Sequence, residues 1–235
     1  MSINVNLVYT SVQYQIEKNL GSGYLDPAQF NSFANQANVE LFAKYTKDFQ
    51  DTQAITDKIL PFIKKAVLPV DDSNGHMAYP SDYVNKIAIR AFDPDAVAEA
   101  QAVCDDDEPI NYNKIKQIYV KLIDNNKLGV RLSSSYLSPD NYHPIAVWYD
   151  TYAQFYPIDI GVVQLDYLRK PLETVWGYTT DIEGLEVYDS GTSVDFEWPW
   201  QMRMELITTI CGYFGISVRE EELVQAAQLL KSQQA

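Results

Sequence analysis

Apolar residues in this chain recur with two different periods, and the two periods occupy different stretches. At the N-terminus Val5, Val8, Val12 and Ile16 fall three and four residues apart, the spacing of one helical face. The spacing returns at Phe30, Phe33, Ala37, Leu41 and Tyr45, and again at Met202, Leu206, Ile207, Ile210 and Phe214. Between them, 145–156 and 161–169 alternate residue by residue and are rich in Val, Ile, Tyr and Trp, as strands are. The predicted fold is α+β, with N-terminal and C-terminal helices packed on a mostly antiparallel β-sheet. A single domain over 1–235 is expected: helices in 1–60, a β-rich middle in 61–198 with an acidic helical insertion at 93–113, and helices in 199–235.

Local chemistry sets the boundaries. Asp26-Pro27-Ala28-Gln29 is a helix start, with a capping carboxylate, proline at the first helical position and Gln29 placed as in a capping box. A helix over about 27–49 follows, and its Ala34 and Ala37 let another backbone approach closely. A shorter helix through Ile55 and Ile59 ends at Pro61. Phe62 to Val70 reads as extended, and Pro69 confines it to a sheet edge. Asp71 to Gly75 is a turn by composition, and its spacing does not fit a calcium loop. A strand is expected over 85–92, an Ala-rich helix from Asp93-Pro94 to Val103, and a strand from Ile115 to Ile123. Asp124 to Asn126 reads as a turn, and 133–144 as a polar loop. Pro157 to Gly161 reads as the connection of a hairpin spanning 145–169. Short strands are expected at 175–178 and 185–188, and another from Ser193 to Trp198, with Phe196 and Trp198 on one side and Asp195 and Glu197 on the other. Pro199 opens a helix closed by Gly215, and a final helix starts near Ser217.

Charge narrows the function classes. Thirty-two acids against eighteen bases give −14, and such a chain repels phosphate backbones. Half of the excess lies in 93–108, where Asp93, Asp95, Glu99, Asp105, Asp106, Asp107 and Glu108 meet no base. Seventeen tyrosines against ten glycines suit interfaces, since tyrosine joins an apolar body to a polar tip. The two cysteines, Cys104 and Cys211, form no framework for disulfides or zinc and fit a reducing compartment. No apolar run is long enough for a transmembrane helix, and the first residues do not read as a signal peptide.

Motifs for catalysis are sparse. No phosphate loop and no G-x-S-x-G elbow occur, and Gly21-Ser22-Gly23 does not make a dinucleotide site. The two histidines, His76 and His143, read as loop residues. Cys211 reads as a small core residue, and Cys104 beside four acids is a poor nucleophile. The Asp105–Glu108 run reads as a solvated loop, although a hard cation remains an open reading. Asp195 and Glu197, flanked by Phe196, Trp198 and Trp200, lie about 6.5 Å apart if extended, a spacing glycosidases use. The alternative for that pair is an ordinary half-buried strand. No cofactor is expected. Besides a carbohydrate-active enzyme using those acids, an acidic DNA mimic is the other competing reading.

Several short blocks lie in order along the chain. They are 23–27 (GYLDP), 30–37 (FNSFANQA), 79–83 (YPSDY), 156–157 (YP), 167–171 (YLRKP), 175–178 (VWGY), 193–199 (SVDFEWP) and 215–228. In this order they resemble a family of virion structural proteins of tailed bacteriophages, crAss-like phages among them; 93–113 is the least similar part. The resemblance implies a non-enzymatic head-to-tail connector or adaptor. Such a protein forms a cyclic, dodecameric ring that carries the tail below the portal, next to portal and neighbouring connector or tail proteins. It implies a place in the virion after synthesis in the host cytoplasm, with genomic DNA passing through unbound and no membrane involved. An acidic wall would suit such a conduit. A ring needs a heterologous interface; the 145–169 hairpin and the terminal helices are its expected contributors. The candidate interface residues are Tyr156, Tyr167, Arg169, Lys170, Trp198 and Trp200, with Arg169 and Lys170 as candidates for ion pairs between subunits.

Overall fold

The computed structural model describes residues 2–20, 25–47, 49, 53–103 and 110–214. The acidic run Asp105–Glu108, Gly21 to Gly23, Cys104, the expected closing residue Gly215 and the expected final helix from Ser217 lie outside the described residues. The chain is α+β, and among the described residues it has six α-helices and sheets whose pairings are antiparallel except one. Its contacts group into two compact units: residues up to Phe62 together with those from Pro171 onward, and Ile63–Lys170.

The first unit holds α1 (Val5–Leu20), α2 (Pro27–Lys47), α3 (Gln53–Ile59) and, past the second unit, α6 (Arg203–Tyr213). Val5, Val8, Val12 and Ile16 of α1 are buried, as their spacing requires. At the start of α2 the Asp26 carboxylate accepts from the backbone N–H of Gln29 at 3.2 Å and of Ala28 at 3.4 Å, the expected cap. Phe30, Ala34, Ala37, Leu41 and Tyr45 then face the core. Met202, just before α6, and Leu206, Ile207, Ile210 and Cys211 within it close the core, and the Cys211 thiol lies 3.0 Å from Gln15 Oε1.

Three asparagines of α2 tie down the stretch 172–176 through bonds from side chain to backbone. Asn31 accepts from Trp176 N–H at 2.7 Å, and its amide donates back to the same residue's carbonyl at 3.3 Å. Asn35 repeats the pair on Thr174, at 2.8 and 2.9 Å. Asn38 donates to the Leu172 carbonyl at 3.1 Å and accepts from the Trp198 indole at 2.7 Å. The match is geometric. Four residues of helix advance about 6 Å and two residues of extended chain about 6.6 Å, so each side-chain amide meets every second peptide as a neighbouring strand would. Trp198 is fully buried and packs edge-on against Phe62 at 4.7 Å. The strand expected at 185–188 is present as β10 (Glu186–Tyr188), paired with β9 (Tyr178–Thr180). The strands expected at 175–178 and 193–198 are corrected: there the chain forms only isolated bridges, Val175 with Val194 and Phe196 with Ile3.

The second unit is built from two four-stranded sheets. One has the order β1-β8-β3-β4, with β1 (Ile63–Pro69), β3 (Tyr83–Phe92), β4 (Gln117–Tyr119) and β8 (Val162–Arg169). The other is β2-β7-β6-β5, with β2 (His76–Ala78), β5 (Lys121–Leu122), β6 (Ile145–Trp148) and β7 (Tyr152–Tyr156). Met77, Ile89, Val120, Ala146, Phe155, Val163 and Leu165 share one core drawn from both sheets. Strand β1 is an edge strand, as Pro69 requires, in register with β8 from Ile63↔Leu168 to Pro69↔Val162. Helices α4 (Pro94–Val103) and α5 (Asn125–Ser133) complete the unit.

Three of the expectations for this unit are corrected. Residues 145–156 are not one strand but a hairpin turning at 149–151, where Tyr149 N–H bonds the Tyr152 carbonyl at 3.0 Å. Strands β7 and β8 belong to different sheets, so no 145–169 hairpin exists. The stretch from Asp124, read as a turn, instead begins α5: Asp124 is its extended N-cap residue, a position that favours the same side chains as turns do. Gly75 ends the Asp71 turn at φ +72°, and a Cβ there would lie 2.7 Å from the Phe155 carbonyl oxygen, so only glycine fits without a shift.

Candidate interface

Strands β4 and β5 follow each other through Val120, and each is the last strand of its own sheet. The segment 117–122 therefore carries one free edge from one sheet to the other. An alternating strand sends neighbouring side chains to opposite sides, so Val120 is buried while Tyr119 stands out at 76% exposure. Beside this edge, α5 and the loop after it present Val130, Leu132, Leu137 and Tyr136, the last 95% exposed. Between them lies a groove of about 490 Å³. Tyr119, Lys121, Arg131, Tyr136, Leu137 and His143 are among the residues that line it.

The electrostatics of this face run against the rest of the chain. From Lys114 to Arg131 there are five bases, Lys114, Lys116, Lys121, Lys127 and Arg131, and one acid, Asp124. Lys127 pairs with Asp124 at 3.1 Å and Lys116 with Asp93 at 2.8 Å. Among the described residues Lys121 and Arg131 have no carboxylate partner. The one acid lining the groove, Asp140, is engaged by the His143 ring at 3.0 Å and by the backbone N–H groups of Tyr142 and His143. Exposed tyrosine and leucine around unpaired cations form a surface suited to an acidic, partly apolar protein partner.

The six residues expected at an interface fall in different places. Tyr167 and Trp198 are fully buried, and this corrects their assignment. Each is held by its polar tip: Tyr167 donates to Asp82 at 2.8 Å, and the Trp198 indole to Asn38. Tyr156 is half-buried at the end of β7, before a cis Tyr156–Pro157 bond. Arg169 reaches the Lys170 carbonyl at 3.2 Å, and Lys170 is exposed. In the first unit Trp200 is 52% exposed, with the Arg203 guanidinium 4.5 Å above its ring.

The carboxylates weighed for hydrolysis serve the backbone. Asp195 accepts from Val5 N–H at 2.8 Å and from the Asn4 amide at 3.2 Å, at the N-terminus of α1. Glu197 accepts from Leu172 N–H at 2.9 Å. Phe196 and Trp198 are buried on the opposite side, as the alternation requires. Among the described residues no three His, Cys, Asp or Glu side chains gather as metal ligands. No helix among them is long and apolar enough to cross a membrane.

Sequence reasoning misses the groove because it places no helix between the turn at Asp124–Asn126 and the loop at 133–144, where α5 lies. Its signal was the run of bases in an acidic chain. No protein-family model matches the sequence, and no curated protein matches it.

Proposed function

We propose that the chain is a non-enzymatic structural subunit of a phage head-to-tail connector, which forms a closed ring between portal and tail and lines the DNA conduit. The observation that carries this reading is the exposed, cation-bearing tyrosine and leucine face along the free edge 117–122. A subunit of a cyclic assembly must offer one surface to a different surface of its neighbour, and an open strand edge with aromatic anchors is such a surface. The sequence blocks that resemble phage connector proteins support it from another side. In the first unit they supply architecture: Asn31 and Asn35 hold Thr174 and Trp176, and Asp195 caps α1. A net charge of −14 suits a wall past which DNA slides without sticking.

Quantitative mass spectrometry of purified virions, calibrated on the portal and the major capsid protein, tests the proposal. A copy number equal or proportional to that of the portal is expected. Absence from particles sinks it. Tight binding of duplex DNA at low salt would remove the repulsive-wall part alone.

A further inference from the structure

A second surface, on the first unit, has the opposite character from the groove. It is a shallow face lined by Val39 and Glu40 of α2, Glu173 and Tyr213, with Gln36 beside them. Val39 is 62% exposed, and Glu40 and Glu173 are both exposed. Tyr213 donates to Glu40 and is stacked on Phe33 at 5.6 Å, so the Glu40 carboxylate is oriented by a fixed ring. The Asn31–Asn35–Asn38 ladder anchors the stretch that carries Glu173 to the same helix. The face is thus acidic, partly apolar and rigidly backed, and the groove beside 117–122 is basic, partly apolar and open.

We infer that the groove of Lys121, Arg131 and Tyr136 is the seat for the Val39–Glu40–Glu173 face of a second copy of this chain. The inference rests on the ring reading and specifies its lateral contact. Charge complementarity selects the occupant: two cations that have no carboxylate partner among the described residues meet two exposed carboxylates, and each pair sits beside exposed apolar side chains of its own. Because the two surfaces differ, the contact is heterologous, and repeating it generates a ring if the rotation closes. A nucleic acid is a poorer occupant of the groove, since a chain of charge −14 repels a polyanion at long range. Ion pairs at such a contact set register and partner choice, and they weaken as salt rises.

Charge exchange on the full chain tests this. The variants are Lys121→Glu with Arg131→Glu, Glu40→Lys with Glu173→Lys, and all four together. Circular dichroism checks that each folds, and sedimentation velocity at several salt concentrations reads the assembly. The first two variants are expected to associate at least ~10-fold more weakly than the wild type, since like charges then face each other. The four-fold variant, and an equimolar mixture of the first two, are expected to recover association. Folded charge-reversed variants that assemble like the wild type would overturn the seat and leave the ring reading standing. Loss in both single-surface variants without recovery would overturn the pairing of these two faces. A wild-type chain that stays monomeric at all concentrations and is absent from virions would remove the ring reading and the seat with it. Tyr136→Ala, which leaves the charges in place, is expected to weaken association by a smaller factor, and no change in it would count against the apolar part of the contact.

Discussion

At the scale of single residues, the first unit depends on side chains that stand in for backbone. Asn35 is the middle rung of the ladder, and both of its amide atoms are used on Thr174. Asn35→Ala leaves the N–H and carbonyl of buried Thr174 without the partners Asn35 supplies, and is expected to lower stability by about 1–3 kcal/mol. Chemical denaturation, followed by tryptophan fluorescence, measures it. Thr174 shows the converse. Its backbone is satisfied, but its fully buried hydroxyl has no hydrogen-bond partner. Thr174→Val keeps the shape and removes the stranded polar group, so stability is expected to rise by about 1 kcal/mol. An unchanged or lower denaturation midpoint would contradict this. The asparagines were visible in the sequence at helical spacing. Their partners were not, because Thr174 lies 139 positions further along the chain, and no local pattern reports a contact of that range.

Among the elements, the helices with one apolar face and the proline-bounded edge strand are the most legible in the sequence. Helices α1, α2 and α6 and the edge strand β1 follow from spacing, caps and proline. The errors share a cause. Strand β6 turns into β7 through Tyr149-Asp150-Thr151, which carries neither glycine nor proline, so one alternating run hid two strands. Helix α5 opens on Asp124, whose chemistry serves turns and caps alike, and with it went the groove. Strand pairing makes its own prediction. Asp82 joins β1 to β8 by accepting from Lys64 at 2.9 Å and from Tyr167 at 2.8 Å. Burial works against its charged form, but the bonds from Lys64 and Tyr167 prevail and hold its carboxyl below the ordinary aspartate range. The bond to Asp82 in turn raises Lys64. A carboxyl depressed by folding adds stability in full above its unfolded value, near pH ~4, and loses it as pH falls through the folded value. The raised lysine adds stability below its unfolded value, near pH ~10.4, and loses it as pH rises through the folded one. Between those limits Asp82→Asn is expected to be less stable than the wild type, and the gap should close as pH falls below ~4. Urea midpoints of both proteins from pH 3 to 7 test this; a gap that persists unchanged at the acid end would exclude the linkage.

For the whole molecule, the two-unit division is a consequence of strand pairing rather than of a linker. The chain leaves the first unit at Phe62 and returns to it at Pro171. Near these two points Ile63 sits opposite Leu168 in the β1–β8 ladder. Paired antiparallel residues are only about 4.5–5.5 Å apart, so the second unit enters and leaves at nearly one point, as inserted domains do. No composition shift or Gly/Ser-rich stretch marks either junction, which is why the sequence reads as one continuous domain. The geometry makes two expectations. Residues 63–170 alone carry both sheets and the core they share, and should unfold cooperatively with a dispersed amide NMR spectrum. Replacing 63–170 by a flexible linker of about three residues, enough to span the gap at ~3.3 Å each, should leave the first unit folded. The Trp198 indole, bonded to Asn38 and buried, reports on that directly through a shifted N–H resonance. A collapsed, undispersed spectrum for either piece would mean that the units fold only together. The charge-exchange experiment would then need to be read as a property of the intact chain, because neither face would exist without the other unit.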